Sequence, residues 1–263
     1  MRRRLDRPRG WAFTLGVAIV KPLMLATTRR TWLGGENIPA TGGCVLVVNH
    51  VSHADPLTTA HLVYDHGRLP RYLAKSGLFD NGLLAYFLRS AGQIPVKRLS
   101  TEAGSAYDAA VAAVRAGECV VVYPEGTITR DPDLWPMTGR TGAARIALTT
   151  GCPVIPVAHW GVQDLLPPYG RPRPFPRKRV TYRVGPPLAL DDLLADGPTP
   201  AATRAATDRI MAAITGLLEE LRGGSAPARR FDPRSSGVRE IGNPNRRRTT
   251  QHRTRHKKGR RGE

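Results

Sequence analysis

Three largely apolar runs, at 43–48, 118–123 (charged only at Glu118) and 153–158, limit the folds open to the chain. A strand covered on one side alternates apolar and polar residues, whereas an unbroken run of this length reads as a strand buried on both faces. Helical patterns separate the runs. Asp55-Pro56 opens one such segment, with Asp a good N-cap and Pro at home in the first turn. Further helices are expected over 78–89, 100–116, 141–150 and 200–221. In the last of these, Ile210, Ile214, Leu217, Leu218 and Leu221 share one face. Shorter extended stretches fall at 71–75, 94–97 and 179–184. Strands alternating with helices predict an α/β fold with a central, largely parallel sheet flanked by helices. Function then belongs to loops at the C-terminal ends of the strands.

A chain of 263 residues, 41% of them hydrophobic, suits one such domain, placed at 33–224, with ends that need not fold. Residues 225–263 hold 13 Lys/Arg and 3 Asp/Glu and so carry +10 of the net +19. This stretch has almost nothing apolar to bury and reads as a disordered cationic tail. The positive balance favours an anionic partner: lipid, nucleic acid or a phosphorylated substrate. Phe231 is the tail's one aromatic residue, so the interleaved stacking groups of a single-strand nucleic-acid binder are missing.

The other end, 1–32, joins Arg2, Arg3, Arg4, Arg7 and Arg9 to the apolar run 11–20, which Lys21-Pro22 interrupts and 23–26 resumes. A bilayer crossing takes about 20 apolar residues, which this run does not supply cleanly. A signal peptide is a second option, without a clean small-x-small cleavage site. The third, which the residues favour, is a helix lying in the membrane interface with its arginines at anionic headgroups. Cys44, Cys119 and Cys152 each lie beside an apolar run, have no metal-knuckle spacing, and read as reduced, buried thiols. No metal site is expected.

Four places could carry chemistry. His50 ends the first buried run and Asp55 opens the next helix, so the loop can fold the carboxylate back onto the imidazole. A carboxylate on one ring nitrogen fixes the tautomer and leaves the other nitrogen to take a proton. Helix capping explains Asp55 equally well. Lys97 and Arg98 follow a short strand and suit a phosphate or a solvated basic loop. Glu125, Gly126 and Thr127 follow the second run. Glu125 is placed to hold an acceptor hydroxyl or to pair with Arg98, and the N–H groups of Gly126 and Thr127 to meet an anion. Arg140 precedes a helix start, a second phosphate cradle. His159-Trp160 reads as packing. No nucleophile elbow, nucleotide-phosphate loop or HExxH is present.

Taken in order, four blocks resemble the glycerophospholipid acyltransferase superfamily, in particular the bacterial lysophosphatidate acyltransferases. These are 49–56 (an N-H-x-S-x-x-D-P pattern containing H-x4-D), 92–98, 123–127 and 154–157, within a resemblance covering about 33–190. The resemblance implies an α/β domain with an N-terminal helical pair seated in the membrane surface, and the positive charge at both ends favours the cytoplasmic face of the cell membrane. It implies that His50, oriented by Asp55, deprotonates the free hydroxyl of lysophosphatidate. The oxygen then attacks an acyl thioester of coenzyme A or acyl carrier protein, with no cofactor. Arg98 and the third block would hold the phosphate. The family usually continues that block with Arg-Ser, whereas here Ile128-Thr129-Arg130 follows, leaving Arg130 or Arg140 to substitute. Acylation of another lysophospholipid or lipid alcohol, or a non-catalytic protein binding anionic lipid or nucleic acid, are the alternatives.

Overall fold

The computed structural model describes residues 3–96, 103–195 and 197–237. Among these, seven strands form one sheet: β1 (Thr28–Leu33), β2 (Cys44–Val48), β3 (Pro70–Lys75), β4 (Ile94–Val96), β5 (Cys119–Val122), β6 (Val154–Trp160) and β7 (Lys178–Val184). Their order is β1-β7-β6-β2-β5-β3-β4, parallel throughout except for the antiparallel pair β6–β7. The helices are α1 (Trp11–Thr27), α2 (Asp55–Asp65), α3 (Gly82–Ser90), α4 (Ala103–Arg115), α5 (Gly142–Thr150), α6 (Val162–Leu165), α7 (Asp191–Leu194) and α8 (Pro200–Arg222).

The unbroken apolar runs fill both faces of this sheet, as an α/β layering requires. Val45, Val47, Val120, Val122 and Val154 point to one side, where Ala110 and Val114 of α4, Ile146 of α5 and Ile210 and Ile214 of α8 cover them. Cys44, Leu46, Val48, Val121, Ile155 and Val157 point to the other, against Met24 of α1 and Leu62 and Val63 of α2. With β2 in the centre, the loop leaving it is surrounded by the ends of β5 and β6.

The N-terminal stretch departs from expectation. Residues 28–33 are a strand rather than helix, paired with β7, and only one helix precedes it among the described residues. The arginines are also largely committed to protein. Arg3 donates to the carbonyls of Ile38 (2.9 Å) and Glu36 (3.3 Å). Arg7 pairs with Glu118 at 3.0 Å, and Arg9 donates to the Tyr64 hydroxyl at 2.6 Å. Buried Arg68 pairs with Asp6 at 3.0 Å and donates to the carbonyls of Pro39, Gly42 and Gly117. These bonds latch the segment to the strands' N-terminal end. No helix among the described residues is long and apolar enough to cross a membrane.

The basic tail divides. Residues 225–237 are described and lie against the domain, while 238–263 fall outside the described residues.

Candidate active site

The turn after β2 is built by one carboxylate. Asp55 is fully buried, and its Oδ2 accepts from the backbone N–H of Val51 (2.7 Å) and Ser52 (2.8 Å) and from His50 Nδ1 (2.8 Å). Asp55 therefore does not cap the helix. The N-cap of α2 is Ala54, and the Asp55 carboxylate turns back along the chain. Ser52 completes the turn, accepting from Ala54 N–H at 3.0 Å and donating to the Leu166 carbonyl at 2.7 Å.

Burial alone would raise the Asp55 carboxyl. The charge and hydrogen bonding of the two flanking imidazoles, His159 and His50, outweigh it and hold the group well below the usual carboxylate range. Asp55 is thus anionic at neutral pH. Its hold on Nδ1–H fixes the tautomer of His50 and leaves Nε2 as the nitrogen able to accept a proton.

Glu125, at the end of β5, is the counterpart from the opposite side. It too is buried. Its Oε1 accepts His50 N–H at 2.8 Å and its Oε2 accepts Met137 N–H at 3.1 Å. Both oxygens thus act on backbone. Burial pushes its pKa from 4.5 up to about 8, against the pull of those N–H donors, with the Asp55 charge adding to the rise. The Thr129 N–H donates to the His50 carbonyl at 2.8 Å, so the third block and the residues just after it grip the peptide groups on either side of His50. Tyr123 stacks on the imidazole with ring centroids 4.4 Å apart.

Gly126 turns with φ +73°, and its N–H donates to the Tyr123 carbonyl at 2.9 Å. That donor is spent within the turn, contrary to the anion role expected of it. A Cβ at Gly126 would stand 2.6 Å from Arg140 Nε. Arg140, whose own N–H donates to Pro124 O at 2.7 Å, therefore lies flat on the turn.

These groups open on a cavity of about 570 Å³. His50, Glu125, Gly126, Thr127 and Arg140 line it, together with the start of α5 at Thr141 and Gly142. Its apolar walls come from Leu73, Val96, Val122 and Ile146. That volume falls in the usual range for small-molecule sites.

The family model described as Acyltransferase matches residues 29–160, half of the chain. The chain belongs to this acyltransferase family. It is similar to the chloroplastic 1-acyl-sn-glycerol-3-phosphate acyltransferase BAT2 of Brassica napus, 31% identical over 136 residues, which are 51% of this chain and 38% of that protein. It is also similar to the 1-acyl-sn-glycerol-3-phosphate acyltransferase of Borreliella burgdorferi, 30% identical over 143 residues, 54% of this chain and 55% of the relative. The chain thus spans about half, or less, of the length of these curated relatives. Its fold is shared with the crystal structure of the 1-acyl-sn-glycerophosphate (LPA) acyltransferase, PlsC, from Thermotoga maritima (TM-score 0.57, 22% identity, 85% of this chain and 86% of that one).

Within this acyltransferase domain the two candidate substitutes for the missing third-block arginine separate. Ile128 is fully buried. Arg130 is not among the residues lining the cavity; it donates to the Tyr169 hydroxyl at 2.5 Å and lies over its ring. Of the two, Arg140 is the one that lines the cavity. Lys97 and Arg98 lie outside the described residues.

His159 does more than pack. It is fully buried and stacks on Tyr182 at 4.8 Å. Its Nε2 lies 3.0 Å from the Asn49 carbonyl and 3.6 Å from Asp55 Oδ2. Asn49 in turn exchanges two backbone bonds with His159, donating to its carbonyl (3.1 Å) and accepting from its N–H (2.9 Å). A lone His after an apolar run gives little signal. The residue that points to it is Asn49, a buried amide that needs a partner on the neighbouring strand.

Proposed function

We propose that the chain is an O-acyltransferase that moves a fatty acyl group from an acyl thioester to the free hydroxyl of lysophosphatidate, giving phosphatidate for phospholipid synthesis. The observation that carries this reading is a single one: an imidazole tied through Nδ1 to a buried, anionic carboxylate lines a substrate-sized cavity whose lining holds both apolar and cationic side chains.

The chemistry follows from the geometry. His50 Nε2 takes the proton of the acceptor hydroxyl, and Asp55 stabilises the resulting imidazolium. The acceptor oxygen attacks the thioester carbonyl, a C–O bond forms, and the C–S bond breaks. The imidazolium returns its proton to the departing thiolate, which leaves as coenzyme A or acyl carrier protein thiol. No acyl-enzyme forms, and the reaction as drawn needs no cofactor. Arg140 and the N-terminus of α5 hold the phosphate, with Arg98 assigned to the same headgroup by the family resemblance and Lys97 adding a point charge beside it.

The acceptor and the product are membrane lipids, and the surface fits an interfacial position. Trp11, Leu15, Ile19 and Leu23 recur every fourth residue along α1 and are all exposed. Leu83 (86% exposed), Leu84 and Tyr86 of α3 extend this patch, with Trp11 stacked on Tyr86 at 5.5 Å. A contiguous apolar patch of this kind marks a contact surface, and a helix lying in the headgroup plane accounts for it. The domain would sit peripherally on the cytoplasmic face of the cell membrane. The basic residues beyond 237 add a salt-sensitive attraction to anionic lipid.

The test is an assay of purified protein with lysophosphatidate and a series of acyl-CoAs and acyl carrier protein thioesters, alongside acceptors lacking the phosphate. Phosphatidate formation supports the reading. Transfer only to a non-phosphorylated lipid alcohol would move the acceptor assignment, as the replacement of the usual arginine by Ile128 invites. No transfer to any acceptor would sink it.

A further inference from the structure

The cavity has a wall that does not come from the part of the chain matched by the family model. Asp232, Pro233 and Arg234 line it, more than 70 residues beyond the end of that match. The segment is held there by a series of bonds. The Arg222 guanidinium at the end of α8 is sandwiched between Trp135 (3.8 Å) and Trp160 (4.3 Å) and donates to the Asp133 carbonyl at 2.9 Å. Ala226 N–H then donates to Glu219 Oε1 at 2.7 Å, and Arg230 pairs with Asp208 at 3.6 Å.

The decisive contact is Thr138 N–H to the Phe231 carbonyl, at 3.0 Å. Thr138 follows Met137, whose N–H is bonded to Glu125, and Glu125 holds the His50 N–H. The segment is therefore docked on the same loop that supports the catalytic turn. Asp232 then shapes a tight turn. Its Oδ1 accepts Arg234 N–H at 3.0 Å, and its carbonyl accepts the hydroxyls of Ser235 (3.1 Å) and Ser236 (2.9 Å). Pro233 is buried, while the Arg234 side chain stays exposed at the rim.

We infer that the 231–234 segment completes the acceptor site, and that Arg234 joins Arg140 in binding the acceptor's phosphate monoester at the cavity mouth. The inference rests on the acyltransfer reading above. Charge supports it. The rim brings together Arg140, Arg145, Arg234 and the N-terminus of α5. An exposed arginine at the rim suits a headgroup that keeps contact with water, and a guanidinium can grip two phosphate oxygens at once.

The test compares three proteins with wild type: a chain ending at Gly237, a chain ending at Gly224, and full-length Arg234→Gln. Each is assayed with lysophosphatidate and with the phosphate-free monoacylglycerol, and melted with and without lysophosphatidate in detergent. Ending at Gly237 should change KM for lysophosphatidate far less than ending at Gly224 does, and what change it causes should vanish at high salt. Ending at Gly224 should raise it about tenfold or more, and Arg234→Gln about fivefold, as expected for one partly exposed charge contact. Both changes should raise KM for lysophosphatidate more than KM for monoacylglycerol, and both should shrink the melting shift caused by lysophosphatidate. If the chain ending at Gly224 fails to fold, Arg234→Gln decides alone. Wild-type turnover with Arg234→Gln unchanged in KM and melting shift overturns this inference and leaves acyl transfer standing. Absence of wild-type turnover overturns the acyl-transfer reading on which it rests.

Discussion

Two buried carboxylates approach His50 from opposite sides, and they do different work. Asp55 takes the ring nitrogen, Glu125 the backbone N–H. The environment of Asp55 supplies two imidazoles as well as two N–H donors, and its carboxyl is driven down. That of Glu125 supplies backbone dipoles and the Thr129 side chain but no cation, and burial raises its carboxyl to about 8. The same burial therefore yields an anion that can orient and stabilise a charged base, and a weaker acid that acts as a bracket between loops. In the proposed mechanism, the carboxylate that serves the chemistry is set by its partners and not by its distance from the histidine.

The largest way to break this contrast is Asp55→Asn. The amide keeps the volume but presents the wrong tautomer to His50, and turnover should fall roughly 10³-fold or more, with KM little changed. A steady-state comparison of kcat and KM checks it. Next comes Glu125→Ala, which strands two buried N–H groups at about 1–3 kcal/mol each. It should lower the melting temperature clearly while removing less of kcat than Asp55→Asn does. A larger loss of kcat than in Asp55→Asn would reverse the two roles. Gly126→Ala is smaller. The left-handed backbone costs about 1–2 kcal/mol with a side chain, and the new methyl displaces Arg140, so KM for a phosphorylated acceptor should rise more than kcat falls.

pH separates the two acids most finely, because their linkage has opposite signs. Asp55 is depressed below its ordinary 3.8, so its contribution is complete above that value and is lost as pH falls towards the folded value. Glu125 is raised from 4.5 to about 8, so the unfolded chain ionises first and stability declines as pH rises across that window, with no further loss from this group above it. Thermal melts from pH 4 to 9 on wild type and Glu125→Gln check this: the variant should show the shallower decline.

The difference between these acids also marks what can be read in the sequence. Continuous apolar runs at 43–48, 118–123 and 153–158 predict strands buried on both faces, and β2, β5 and β6 take those places within about one or two residues at each end. His50 and Asp55 are legible because a strand end and a helix start fix a short loop between them. Capping by Asp55 is a local inference, and the Val51 and Ser52 N–H groups outcompete it. β1 is not legible, because its sequence, Thr-Arg-Arg-Thr-Trp-Leu, is edge-strand material whose only sheet neighbour among the described residues is β7, about 150 residues away. The roles of Arg7 and Arg68 are equally out of reach, since their partners Glu118 and Asp6 lie far along the chain. Long-range pairing of this kind leaves no periodic trace.

The central claim is that His50 is the general base and that Asp55 makes it one. The most direct measurement is the rate of acyl transfer from an acyl-CoA to lysophosphatidate by His50→Gln, beside wild type, with folding checked by circular dichroism and melting temperature. The expected result is a folded protein with turnover reduced by at least about 10³-fold, consistent with loss of the proton acceptor. A folded His50→Gln protein that transfers acyl groups at a rate near wild type would contradict it.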